Sequence, residues 1–276
     1  MSNFKMLKMV ATFAPKLAVE LGSFGFEAST YLQTIVFDLG TGRIKFGNGQ
    51  PIMILPGFTA TDGSLYVLEK TLISLNFKAE TWGQGQNHGD FNRLLPGLLE
   101  KFFEMYERHG KQPIMLIGWS KGGRMARKLA NMLGPEFVAG VLTMGTPDRP
   151  HTVRNIEEIP RIPIRLIPKK FRATYLRYMG MVEGIIEELK TPAPHPHSGI
   201  PTTICYGGAD MVVSIKDAKM PDKYLHRNLQ NVLIPYCGHL ALGFSARTIR
   251  VIVQHILYDF AHHEEVLEEY EMALAA

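Results

Sequence analysis

One pentapeptide constrains this chain more than any other feature. Gly118-Trp119-Ser120-Lys121-Gly122 follows the apolar run Pro113 to Ile117 and precedes a segment, Lys121 to Leu133, with helical character. The pattern G-x-S-x-G is common in isolation. Between a buried strand and a helix it has a mechanical meaning: a sharp turn holds the serine in a strained backbone conformation and exposes its hydroxyl. Strand and helix then pass so close that the residues two before and two after the serine must be small. Gly118 and Gly122 meet that demand, and Gly123 gives further room. The competing reading is an ordinary glycine-rich turn.

The other elements fit this junction. Pro51–Leu55 reads as a short buried strand ending in Pro56-Gly57-Phe58. Residues 64–75 read as a helix, 77–82 as a strand, and 91–109 as a long amphipathic helix stopped by Gly110. After the elbow, Gly134-Pro135 stops the helix, and Phe137–Met144 is a strand ending in Gly145-Thr146-Pro147. A strand at 202–206, a helix near 214–227, a strand at 231–235 and a helix at 246–260 complete the series. Alternating strands and helices predict an α/β fold, a mostly parallel sheet with helices on both faces. In such sheets, sites form beyond the carboxyl ends of the strands. Near the N-terminus a helix at 4–21 and strands at 33–38 and 43–46 are expected.

The alternation lapses over residues 148–201, which read as a lid or cap inserted into a single domain of residues 1–276. Its apolar residues, among them Ile162, Ile164, Leu166 and Leu176, suit the lining of an apolar pocket.

Charge distribution excludes some classes. The net charge is +4. Residues 149–177 carry eight Arg or Lys against two Glu, whereas 262–276 carry five Glu and no Lys or Arg. Solvated helical faces account for both. No recognition module accompanies the basic stretch, so no nucleic-acid partner is expected, while peripheral contact with anionic lipid stays open. Neither a convincing signal peptide nor a transmembrane run is apparent, and a cytoplasmic location is the expectation. Cys205 and Cys237 are too few for a disulfide framework and are expected to be reduced. The histidine and cysteine spacings match no zinc site, and no metal or cofactor is called for.

Three strand-end loops hold Ser120, Asp210 and His239, in that order. With Ile54-Leu55-Pro56-Gly57-Phe58, Gly208-Ala209-Asp210-Met211-Val212-Val213, Cys237-Gly238-His239 and Met144-Gly145-Thr146-Pro147, they give the region from Pro51 to about Phe260 a resemblance to the α/β-hydrolases of the lipase/esterase type. Trp82 to Asn87 resembles a loop in a bacterial branch of lipase-like proteins. The resemblance implies a carboxylic ester hydrolase in lipid metabolism. Ser120 is then the nucleophile, His239 the base and Asp210 its orienter. Oxyanion donors would be the backbone N–H groups of Phe58 and Lys121. Pro56 departs from the family's usual His before Gly, which concerns the shape of that loop. Asp210 reads alternatively as an Asx-turn residue with Asp217 as the acid, and His239 as a loop cap. His88 faces the site in this reading, with a structural role favoured, and Gln86 and Asn87 are candidates to brace the oxyanion loop. The expected partner is a small-molecule or lipid ester. Alternative functions are an acyltransferase using the same serine and a non-catalytic binding protein. A dehalogenase is disfavoured because its nucleophile must be a carboxylate.

Overall fold

The structure, a computed structural model, describes residues 18–26, 46–148 and 191–265, parts of 164–183, and residues 268 and 272. Among the described residues six strands form one sheet: β1 (Pro51–Leu55), β2 (Lys78–Thr81), β3 (Ile114–Trp119), β4 (Val138–Met144), β5 (Thr202–Gly207) and β6 (Leu229–Ile234). Their spatial order is β2-β1-β3-β4-β5-β6, and every neighbouring pair is parallel. Within β1 all five residues are buried, because both faces of a parallel sheet are covered. Side chains alternate between those faces. Ile52 and Ile54 enter one core with Met115 and Ile117 of β3, while Met53 and Leu55 enter the other with Ile114 and Leu116.

Helices close each core. Helix α1 comprises residues 18–26, α2 is Tyr66–Ser74, α3 Phe91–Arg108, α4 Lys121–Leu133, α5 Ile215–Ala218 and α6 Ala246–Ala261. The first core takes Leu68 and Leu72 of α2 and Ile249, Ile252 and Ile256 of α6. Leu98, Phe102 and Met105 of α3 and Met125, Ala126 and Leu129 of α4 fill the second. Each such aliphatic side chain contributes about 1.5–3 kcal/mol through burial. Asp90 caps α3, its side chain accepting from the Arg93 N–H at 3.1 Å.

Three expectations need comment. The helix expected near 214–227 is much shorter: α5 ends at Ala218, and a separate 3-10 turn covers Asp222–Tyr224. The cause is Pro221, which has no N–H to continue the ladder; the chain is already extended at Lys219 (φ −86°, ψ 130°). Asn231 of β6 replaces the lost helical bonds, accepting from the Met220 N–H at 3.0 Å and donating to the Met220 carbonyl at 2.8 Å. At the N-terminus the described helix runs on to residue 26, beyond the expected end at 21, and residues 4–17 lie outside the described set. The strands expected at 33–38 and 43–46 also lie outside it, apart from Phe46, which is not in a strand.

Asp259 of α6 is buried against Gly140 of β4, and a Cβ at Gly140 would meet its Oδ2 at 2.6 Å. Among the described residues that oxygen has no hydrogen-bond partner. Burial pushes the carboxyl up to about 8. A carboxyl raised on folding supports stability fully below its unfolded-state pKa and loses that support as pH climbs through the folded value. Asp259→Asn should therefore raise the melting temperature more at pH 9 than at pH 5, as read by thermal denaturation. An equal change at both would show that Asp259 is not held as the neutral acid.

Candidate active site

Between β3 and α4 the chain turns within a single residue. Ser120 has φ 53° and ψ −121°, a combination that L-residues adopt only when the surroundings enforce it. The flanking glycines are the enforcement. A Cβ at Gly118 would strike the backbone of Gly122 and Gly123, and one at Gly122 would strike the carbonyls of Leu55 and Pro56 in the neighbouring strand. The Ser120 N–H donates to the Met144 carbonyl at 2.7 Å, which ties the turn to the end of β4. Lys121 opens α4, so the positive end of the helix dipole lies beside the serine.

The sheet order places this turn usefully. From β1 the chain proceeds to β2 on one side and then crosses back to β3 on the other. The carboxyl ends of β1 and β3 thus flank a topological switch point, where open α/β sheets leave a crevice. The loop after β1 leans over the elbow, and a Cβ at Gly57 would sit 3.3 Å from that of Ser120. Asn87 braces the loop from beneath: fully buried, it donates from Nδ2 to the Pro56 carbonyl at 2.7 Å. Its own carbonyl accepts from the Thr59 N–H at 2.8 Å, and Gln86 Nε2 donates to the Thr59 carbonyl at 3.0 Å. Phe58, one of the two expected oxyanion donors, therefore lies in a turn fixed against the elbow. His88, by contrast, is exposed.

Asp210 and His239 meet across the ends of β5 and β6. His239 Nδ1 lies 2.8 Å from Asp210 Oδ2. The carboxylate's other oxygen accepts from the Val212 and Val213 N–H groups at 2.9 and 2.7 Å. The Asx-turn and the histidine partnership are thus not alternatives, since one oxygen serves each. A hydrogen bond from Nδ1 to the carboxylate leaves Nε2 as the acceptor, the form a general base requires. Burial on its own would lower the His239 pKa. The charge of Asp210, its hydrogen bond and the charge of Glu20 outweigh that and hold it above the ordinary imidazole value. Trp119 links this pair to the elbow: its Nε1 donates to the His239 carbonyl at 3.1 Å, and the two rings lie 5.8 Å apart. Gly145, with φ 57°, lets the β4 loop pass beside the imidazole; a Cβ there would be 3.0 Å from Nδ1.

Solved structures show the same architecture. A lipase-esterase related protein from Clostridium acetobutylicum superposes with a TM-score of 0.53 at 13% identity, over 78% of this chain and 96% of that one. A soluble variant of monoglyceride lipase from Saccharomyces cerevisiae gives 0.52 at 14% identity, over 80% and 89%. An N-acyl homoserine lactonase gives 0.52 at 15% identity, over 78% and 90%. The chain has the α/β-hydrolase fold. No protein-family model and no curated protein matches the sequence.

Within this α/β-hydrolase fold the remaining candidates fall into place. Asp217 is occupied elsewhere, accepting from Ser214 Oγ at 2.7 Å at the start of α5, while its carbonyl accepts from the Asp148 N–H at 2.7 Å. Cys205 and Cys237 are both buried and not joined in a disulfide, and burial pushes the Cys205 thiol up to about 12. No group of metal-ligating side chains gathers among the described residues. No described helix is long and apolar enough to cross a membrane.

Two arginines of α4 bring the start of the 148–201 segment together with its residues 191–194. Arg124 donates to the carbonyls of Pro147, Thr191 and Pro192 at 3.0–3.1 Å. Arg127 pairs with Asp148 and donates to the Pro194 carbonyl at 3.3 Å. The two stretches also touch directly, Ala193 N–H donating to the Asp148 carbonyl at 3.0 Å. Ile164 and Leu176 of this segment are exposed. Residues 149–163 and 184–190, which include much of the basic stretch and Ile162, lie outside the described set.

The sequence reading missed Glu20. Buried in α1, it accepts from the N–H groups of Met211, His239 and Leu240 at 2.7, 3.1 and 3.2 Å. Those partners lie about two hundred positions away. Periodicity along one helix carries no trace of such a contact.

Proposed function

We propose that this chain is a serine hydrolase that cleaves carboxylic esters through an acyl-enzyme. His239 Nε2 takes the Ser120 proton as Oγ attacks the ester carbonyl. The resulting oxyanion is met by the N–H groups of Phe58 and Lys121, and by the helix dipole behind them. As the tetrahedral species collapses, the imidazolium returns its proton to the departing alcohol. Water then enters, loses a proton to His239 and releases the acid, restoring Ser120. Asp210 holds the tautomer throughout and stabilises the imidazolium. The observation that carries this reading is the buried Asp210–His239 pair tied through Trp119 to a serine in the strained elbow conformation. The neighbours named as lipase, lipase-esterase related protein and lactonase support an acyl-oxygen bond as the target.

In this proposal residues 148–201 cap the crevice and meet the acyl chain. The segment leaves the catalytic edge after β4, and residues 191–192 return against the same arginine of α4 before the chain enters β5 at the opposite edge. Val212 and Leu240, beside the acid and the base, expose apolar surface (44% and 40%). A panel of p-nitrophenyl esters from acetyl to palmitoyl tests the reading. Turnover should occur in wild type, vary with chain length and vanish in Ser120→Ala. Ester hydrolysis that persists in pure Ser120→Ala protein would refute it.

A further inference from the structure

We propose that Glu20 is a positioning residue for the catalytic histidine, so that α1 is a working part of the active site. The inference rests on the reading of Ser120, Asp210 and His239 as a hydrolytic triad, and it adds a fourth polar member from a distant part of the chain.

The geometry is specific. The Asp210 and His239 loops leave different strands, and the carboxylate of Glu20 clasps both. Oε1 accepts from the Met211 N–H, one residue past the acid, and from the N–H of His239 itself. Oε2 accepts from the Leu240 N–H. The same helix adds a second clasp one turn on: Ser23 Oγ accepts from the Gly238 N–H at 2.6 Å and donates to the Tyr236 carbonyl at 3.1 Å. Gly238 leaves room for Glu20, since a Cβ there would meet Oε2 at 2.6 Å. Four backbone groups of the 236–240 loop, together with one of the 210 loop, are thus held by two side chains of α1.

A carboxylate is a demanding choice for a merely structural brace. Burying it is costly unless several donors converge on it, as three do here. Among the described residues, the charged groups that act on His239 are Asp210, from the loop after β5, and Glu20, from α1; uncharged Trp119 and Gly145 also lie beside it. Asp210 reaches the imidazole at Nδ1, whereas Glu20 reaches the same residue through its main chain. The side chain therefore fixes where the imidazole stands, and its charge favours the imidazolium that forms during turnover.

The test compares Glu20→Gln, Glu20→Ala and wild type in the full chain. Gln keeps the volume and one acceptor oxygen but removes the charge. The primary readout is the titration of His239 by NMR, which needs no turnover. Removing a charge that favours imidazolium should move the His239 titration to lower pH in Glu20→Gln. The acid limb of kcat/KM should move the same way, since the base must be neutral to act. Glu20→Ala should lose kcat by on the order of 10²-fold with little change in KM, because displacing the base by about 1 Å has that effect. Gln should recover a large part of it. An unmoved His239 titration in folded Glu20→Gln, or full kcat in Glu20→Ala, would overturn the proposal. A His239 titration that moves in Glu20→Gln, in a protein whose wild type hydrolyses no ester, would leave Glu20 in place and remove the esterase reading instead.

Discussion

Ser120→Ala and His239→Ala should each abolish acyl-enzyme formation, and each should cost nearly as much as the double change. The loss is on the order of 10⁴ to 10⁶ in turnover, the range seen when members of such a unit are removed from a serine protease. Non-additivity follows from the chemistry: without the base the serine hydroxyl is a poor nucleophile, and without the serine the base has nothing to deprotonate. Asp210→Asn should fall in the lower part of that range. Its remaining carbonyl oxygen can keep the turn with Val212 and Val213, so the loop survives. The amide that faces His239 Nδ1 would donate rather than accept, and the imidazole would be driven to the wrong tautomer. Asp217 offers no rescue, being held at the start of α5 by Ser214. The measurement is single-turnover labelling with a fluorophosphonate alongside steady-state ester hydrolysis. Full activity in Asp210→Asn, with loss in Asp217→Asn, would reassign the acid.

Gly122→Val prevents stable folding. A Cβ at this position meets two main-chain carbonyls, those of Leu55 and Pro56, in a strand buried on both faces. Neither β1 nor α4 can withdraw without opening the core between them, so the cost should exceed about 4 kcal/mol, the level reserved for severe backbone and packing conflicts. Urea titration followed by circular dichroism would show it as a collapsed midpoint or the absence of a folded baseline. Gly57→Ala is the matched comparison, since its Cβ would meet Ser120 and Trp119 at 3.3–3.5 Å, a tight but yielding contact. A wild-type midpoint for Gly122→Val would mean that strand and helix are not packed this closely.

Much of this architecture was legible because it is local. Pro51–Leu55 matches β1 to the residue, and Lys121–Leu133 matches α4, because a buried apolar run and a glycine stop are signals contained within a few positions. The elbow was legible for the same reason, since its glycines are adjacent to the serine they release. Asp210 and His239 could be proposed from their strand-end loops and their order, but their 2.8 Å contact depends on β5 and β6 being neighbours. The short α5 shows the opposite failure. A helix is expected near 214–227, but Pro221 lies inside that span, and its missing N–H cannot be compensated from within the segment. Glu20 was beyond reach. A lone acid in an N-terminal helix looks solvated, and only the closed fold turns it toward three amide donors near the histidine.

The arginine anchors of α4 have an evolutionary consequence. Because Arg124 and Arg127 grip the chain at Pro147 and Asp148 and again at Thr191, Pro192 and Pro194, they fix the two ends of the span between independently of what lies within it. Doubling the length of a flexible excursion between fixed ends adds only about 0.6 kcal/mol of closure entropy. Insertions, deletions and recombination between residues 149 and 190 are thereby uncoupled from the sheet and from the nucleophile. Under the proposed cap role, changes in this one segment would alter which substrate is accepted without touching Ser120, Asp210 or His239.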